Sequence, residues 1–420
     1  MPGINNSADI LAGIIYIAGK TRQMFKKITI GICLMATHFC NAQNKYEPIF
    51  LEFWTDYKDN YAYFEKQGVN WDKVKEIYQP LVANITNDDD FIHLLEQVTY
   101  ELHNGHISLN TNLYTSNRII PSGEDVFAEK TGNGFFITDV RKGSKAELSG
   151  LKPGMEVLKF NGKTIAEQLT AFLPKYTTIY NNSMYAYALN MLLAGTYDKE
   201  REITVLENGV EKAYFPDQYT INNIMHHNVE YQILEGNIGY IKINNSLGDN
   251  NVIKEFDDTL DKLMNTKSLI LDLTETPGGG NTTVARGIMG RFTDKVLPYQ
   301  KHRIDEKEFG TIRTWVEYVS PRKTIYKKKL TVMVGHWTGS MGEGMAIGFD
   351  AMKRAKIVGT KMAGLLGAIY SFKANNTNVG YSFPAESMYH VNGTPREDFI
   401  PKYLTKNEEE TYNKALKLAR

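Results

Sequence analysis

Cysteine is almost missing from this chain: 420 residues contain two, Cys33 and Cys40, both before residue 43. A surplus of either charge is missing too, since 48 Lys and Arg balance 48 Asp and Glu. No global field therefore draws nucleic acid or an anionic membrane, and no run of like charge is long enough to act as a tail. A spanning helix needs about 20 consecutive apolar residues, and neither ILAGIIYIAG near the start nor the run after Lys27 reaches that length. The glycine-rich stretch PGGGNTT is not followed by Gly-Lys-Ser/Thr, which disfavours a nucleotide-binding P-loop.

What is present at the N-terminus explains the cysteines. MFKKITIGICLMATHFCNAQ begins at Met24 with Lys26 and Lys27, continues in a short apolar run and closes on Cys40-Asn41-Ala42. That is the layout of a secretory signal cleaved before Gln43. Residues 1–23 are expected to be an upstream extension from a misplaced start, and 24–42 the signal peptide. A lipid anchor on Cys40 would want small residues where Thr37, His38 and Phe39 stand. The mature chain then has no thiol, which excludes a cysteine nucleophile, Cys-ligated zinc and disulfides. Export to the periplasm or exterior of a Gram-negative bacterium is the expectation.

The length suggests two or three domains, and the pattern changes style twice. Residues 43–117 read as helical: in DDDFIHLLEQVTYELHNGH, Phe91, Leu94, Leu95, Val98 and Leu102 recur at helix spacing behind an Asn/Asp cluster suited to capping, and the helix is expected to end at Asn104-Gly105. His106 follows, and by itself it is an ordinary polar residue at a helix end. Residues 118–215 shift to short β-like runs punctuated by glycine. Residues 216–420 alternate strand and helix: NIGYIKI, NVIKEFDDTLDKLMN, SLILDLT, TVARGIMGRF and KKLTVMV. This predicts an α/β core with ligand chemistry at strand ends. Gly278, Gly279 and Gly280 lie between a buried strand and a helix, where bare backbone N–H groups can approach an anion or a polarised carbonyl. Ser340 lies in GHWTGSMGEGMAI, directly after a strand and before an apolar helix; Glu343 three residues on could equally complete a capping box.

Two resemblances emerge. GNGFFITDVRKGSKAELSGLKPGMEVLKFNGKTI resembles a PDZ domain, with Gly134, Phe135 and Phe136 where that family's carboxylate loop sits, Ala146 to Leu151 as its short helix and Met155-Glu156 in place of the usual Asp at its turn. ITVLENG at 203–209 would close it, and NNSMYAYALNMLLAG reads as a helical insertion of no evident purpose. The ordered set ELHNGH, the PDZ-like module, GYIKI, LILDLTETPGGG, GSMGEGMA, RAKIVGT and NGTPREDFIPKY is similar to the tail-specific and C-terminal processing serine peptidases, which include the tricorn core. The resemblance implies a multidomain α/β protein: an N-terminal helical region, a PDZ-like β module and an α/β (ClpP/crotonase-like) catalytic core.

Carried over by position, it implies Ser340 as nucleophile, with Met341, Gly278 and Gly279 supplying oxyanion-hole N–H groups. One branch of the family uses a lysine base; Leu365 stands at that lysine's place, and Lys361 is offset by one helical turn. The tricorn-like branch instead implies His106 as base and Glu397 as its orienting acid, with Asp398 an adjacent competitor and Pro401-Lys402 where the family ends in Pro-Asp. The reaction implied is acyl transfer to water on peptide or protein substrates, with no metal or organic cofactor and no nucleic-acid partner. An ordinary imidazole value near ~6.5 is expected for His106. Two rivals remain: a metal hydrolase using His103 with His106 or His226 with His227, which lacks an HExxH pattern, and a non-catalytic peptide-binding relative.

Overall fold

The computed structural model describes residues 44–221 and 227–420. The upstream extension, the signal peptide and His226 lie outside the described residues. Among those described, no helix is long and apolar enough to cross a membrane.

Residues 46–100 are helical because aromatic and aliphatic side chains recur on one face. Helix α1 (Tyr46–Asn60) buries Phe50, Phe53, Trp54 and Tyr57; α2 (Phe64–Gln67) and α3 (Trp71–Val82) follow. Helix α4 (Asp88–Tyr100) starts at Asn87, whose side chain accepts the Asp90 N–H at 2.9 Å, with Asp88, Asp89 and Asp90 in its first turn. Those acids suit the positive end of the helix dipole. The helix stops at Tyr100 rather than at Asn104, and the chain turns through Asn104–Gly105–His106 into strand β1 (Ser108–Leu109).

Next comes an antiparallel sheet of β2 (Val126–Thr131), β3 (Gly134–Val140), β4 (Glu156–Phe160), β5 (Lys163–Thr164), β6 (Ile203–Glu207) and β7 (Val210–Tyr214), in order β2-β3-β4-β6-β7 with β5 on β4. It carries α5 (Lys145–Ser149), α6 (Ile165–Leu169) and α7 (Asn182–Ala194). Gly134, Phe135 and Phe136 lie in β3, which is flanked by β2 and β4. Gly134 and Phe135 pair with β2 in the β2–β3 hairpin, and the pairing with β4 begins at Phe136. β2 and β7 are the edge strands, and α7, the helix with no purpose legible in the sequence, packs along β2. Asn190 of α7 accepts the Ala128 N–H (2.9 Å) and donates to the Ala128 carbonyl (3.1 Å), occupying the edge at that residue.

The third region bears out the expected α/β core. Strands β8 (Val229–Leu234), β9 (Ile238–Ile243), β10 (Ser268–Asp272), β13 (Lys329–Val334), β14 (Lys356–Gly359) and β17 (Tyr403–Leu404) form one sheet, in order β17-β14-β13-β10-β9-β8 and parallel except for β8. Alternation explains why its central strands are apolar throughout. Leu269 and Leu271 of β10 join the core beneath α8 (Val252–Lys262), α9 (Thr282–Met289) and α10 (Met341–Ala351), whereas Ile270 faces Ala415 and Ala419 of α11 (Glu408–Ala419) on the other side. Covered on both faces, such strands have no polar side to show. A further sheet of β1, β11 (Leu297–Glu306), β12 (Thr311–Val319), β15 (Ala368–Lys373) and β16 (Gly380–Tyr389) joins this core to the N-terminal helices. Ser108 pairs with Ser382, and the Tyr57 ring lies 4.0 Å, centroid to centroid, from Phe383.

Candidate active site

Strands β10 and β13 lie side by side and parallel, so the loops leaving their C-terminal ends meet. Thr276 and Thr338 continue the pairing as an isolated parallel bridge, and the Gly339 N–H donates to the Thr276 carbonyl at 3.2 Å. Ser340 follows at φ 50°, ψ −109°, a backbone conformation an L-residue rarely adopts, and α10 begins at the next residue. This sharp strand-to-helix turn pushes the serine hydroxyl out over the sheet. The Ser340 N–H donates to Glu343 Oε2 at 2.7 Å, and the other oxygen of Glu343 accepts the Gly364 N–H at 3.0 Å. Burial pushes the Glu343 carboxyl up to about 7, opposed by the positive charge of Arg396.

Gly279, at φ +62°, brings its backbone against this turn. A Cβ there would sit 2.8 Å from Ser340 Oγ and 3.1 Å from the Met341 nitrogen, in the space between them. The Met341 N–H, first in α10, has no hydrogen-bond partner among the described residues and opens on that space. The two glycine donors differ from expectation: the Gly278 N–H is spent on Asn245 Oδ1 at 2.6 Å and that of Gly279 on the Thr276 carbonyl at 3.1 Å. What the glycines supply here is room rather than N–H groups.

His106 donates or accepts through Nδ1 at the Leu366 carbonyl, 2.7 Å away; a carbonyl only accepts, so Nδ1 carries the proton and Nε2 is left as the base nitrogen. Burial lowers the imidazole to about 4, helped by the Arg396 charge and opposed by the carbonyls of Leu366 and Gly367. No hydrogen bond joins His106 to Ser340 among the described residues. Leu365 stands between their two turns: a Cβ on Gly339 would lie 3.1 Å from its Cδ1, and one on Gly105 3.3 Å from its Cδ2. Glu397 does not reach the His106 Nδ1 either. Its Oε1 accepts from Lys66 at 2.7 Å, and its Oε2 is buried without a partner. Lys66 also binds Asp398 at 2.8 Å, but the Asp398 side chain is 53% exposed against 6% for Glu397. Arg396 is buried and donates to the carbonyls of Leu365 (2.8 Å) and Gly367 (2.6 Å), which fixes the loop that carries the His106 acceptor.

Asn245, Leu366, Arg396 and Lys66 thus belong to the site although nothing in the sequence marked them; each is tied to it by a contact made across many residues of chain. Lys361 is exposed, and its charge bears on His336 rather than on the serine turn. His103 turns its Nδ1 to the Glu101 carbonyl at 3.4 Å. A cavity of about 690 Å³ opens beside the site, between the N-terminal helices, the β2–α7 edge and the loops at 361–366 and 396–400.

Residues 237–400 match Peptidase family S41, and residues 42–99 match the Tricorn protease C1 domain. Among solved structures, mature CPAF superposes with a TM-score of 0.61 at 14% identity, over 86% of this chain and 92% of that one. Mature CPAF complexed with lactacystin gives 0.60 at 14% identity, over 90% and 96%. The photosystem II D1 C-terminal processing protease gives 0.53 at 16% identity, over 86% and 93%. At these identities the structures establish the shared fold. With the S41 match spanning both the glycine loop and the serine turn, the chain belongs to the family of tail-specific and C-terminal processing proteases and is a serine-type peptidase.

Proposed function

We propose that the chain is an exported endopeptidase that cleaves peptide bonds through an acyl-enzyme on Ser340, in the manner of the tricorn-like branch. Ser340 Oγ attacks the peptide carbonyl while His106 Nε2 takes its proton and returns it to the leaving amine; water then hydrolyses the ester by the same route. The Met341 N–H, at the head of α10, faces the developing oxyanion. In the resting state the Leu366 carbonyl holds the imidazole tautomer. Glu397 is the third member, its unpartnered Oε2 being the acceptor for Nδ1–H once Leu365 moves aside for substrate; its deep burial favours it over Asp398. We read the β2–β7 sheet with α7 as a PDZ-like module that engages peptide chains along the β2 edge.

The observation that carries this reading is the Ser340 turn: a strained serine at a helix N-terminus, with Gly279 clearing the space between Oγ and the Met341 N–H. Labelling with a fluorophosphonate probe tests it. The wild-type protein should label and hydrolyse peptides, and Ser340→Ala should do neither, with kcat reduced on the order of 10⁴-fold or more. Labelling that persists in Ser340→Ala would reject Ser340. A folded wild-type protein that binds peptides yet never labels would be a non-catalytic relative.

A further inference from the structure

We infer that Glu124 makes the cavity beside the Ser340 loop a subsite for a cationic side chain, lysine or arginine, of the peptide substrate. The ligand class rests on the peptidase reading above; the recognition itself rests on the cavity.

Glu124 is only 4% exposed, and its Oε2 is buried without a hydrogen-bond partner among the described residues. A carboxyl withdrawn from water with no donor on it is costly, and a fold retains such a group where a ligand supplies the missing partner. The charges acting on it are those of Arg141 and Asp125. Arg141 is committed elsewhere, its Nε to Glu275 at 2.8 Å and its Nη1 to the Ser122 carbonyl at 3.3 Å. Asp125 is bound to Arg201 at 2.6 Å. Glu124 therefore faces the cavity with no cation of its own.

Of the cations that also line the cavity, Lys66 is bound to Glu397 and Asp398, Arg396 to the carbonyls of Leu365 and Gly367, and Lys361 is exposed to solvent. Phe127, three residues after Glu124, stacks against His336 with ring centroids 4.0 Å apart, and both line the cavity. Burial and the nearby Lys361 hold His336 down at about 3, so this shelf is neutral and its aromatic face can pack an alkyl-ammonium or guanidinium stem. Glu343 and Leu365, which touch the Ser340 turn, line the same cavity, so a chain crossing Ser340 can place a side chain in it. Glu124 also stands on the loop that enters the β2 edge, where a PDZ-like module would greet a chain-end carboxylate. A carboxyl there, ionised as a cation enters, favours that cation over a free C-terminus.

The test is calorimetric titration of the Ser340→Ala protein with peptides carrying one lysine, moved stepwise along the chain, against the same peptides with norleucine. At one position lysine should bind about tenfold tighter or more, as a charge-assisted bond predicts. Glu124→Gln should bring that ratio close to one without weakening the norleucine peptide, and Glu124→Asp should keep part of it. Because burial pushes the empty Glu124 up to about 8, lysine binding at pH 7 should also release a proton, read from buffers of different ionisation enthalpy and requiring no substitution at Glu124. An undiminished lysine preference in Glu124→Gln, no preference at any position, or no proton release would each overturn the inference. Binding in a Ser340→Ala protein does not depend on turnover, so a retained lysine preference alongside a wild-type enzyme that fails to cleave would reject the peptidase mechanism and leave the subsite standing.

Discussion

The Glu343 carboxylate has two oxygens and two main-chain N–H groups to serve, those of Ser340 and Gly364. Glutamine offers one acceptor and would turn an NH₂ toward the second N–H, leaving a buried donor without a partner at a cost of about 1–3 kcal/mol. Glu343→Gln should therefore lower kcat by roughly 10- to 100-fold, with slower fluorophosphonate labelling and little change in KM. Unchanged labelling would mean that the serine turn holds its shape without this brace. His106 makes a second residue-scale prediction. An exposed imidazole would lose its basic form below ~6.5, but here burial, and after it the Arg396 charge, set the value at about 4. A depressed base stays neutral further into acid, so the acid limb of kcat/KM should fall near pH 4. A limb at or above the ordinary value would show that a carboxylate, Glu397 before any other, replaces the Leu366 carbonyl on Nδ1 during turnover.

Among the elements, α7 and β2 decide how a peptide could be held. An edge strand binds an extended chain through its outward N–H and C=O groups, and Asn190 covers both of these at Ala128. Its amide substitutes for a neighbouring strand and satisfies the edge from within the fold. Asn190→Ala should release the pair, tightening the binding of extended peptides to Ser340→Ala protein several-fold in fluorescence anisotropy and speeding hydrogen exchange at the Ala128 amide. The released edge should also cost some stability, since two buried polar groups lose a partner. Peptide affinity that does not change would mean that chains enter only by the cavity and never pair with β2.

Across the whole molecule, buried carboxyls set the dependence of stability on pH. Burial raises Glu124 to about 8, and both Glu343 and Glu408 to about 7. The native state holds protons at these groups that the unfolded chain has already lost, so their contribution disappears as pH rises through the folded values. Burial lowers His103 and His106 to about 4 and His336 to about 3, which works the other way in acid, where the unfolded chain takes up protons that the native state refuses. The two groups of residues oppose each other below about pH 6.5, where unfolded histidine titrates. Above it the carboxyls act alone. Tm should therefore fall between about pH 6.5 and 8.5, and Glu124→Gln should flatten part of that slope. A Tm that is level across this window would mean that these carboxyls ionise in place.

The sequence by itself determined the parts that depend on local pattern. Apolar strands such as SLILD and KLTVM announced a sheet covered on both faces, because a strand buried twice has no polar alternation to show. A serine set between such a strand and an apolar helix announced the turn that exposes it, and the ordered motifs announced the family. Only the tertiary structure decided who binds whom. Nothing local to Gly278 occupies its N–H, yet Asn245, 33 residues earlier, takes it. The imidazole of His106 rests on a carbonyl 260 residues away. The β2 edge is met by a helix that arrives from more than fifty residues downstream. Periodicity records which face of an element is apolar, and spacing records which residues a turn brings together. Neither records which of several competing donors and acceptors will be pressed against each other once separate elements pack, and that choice is where this site acquires its geometry.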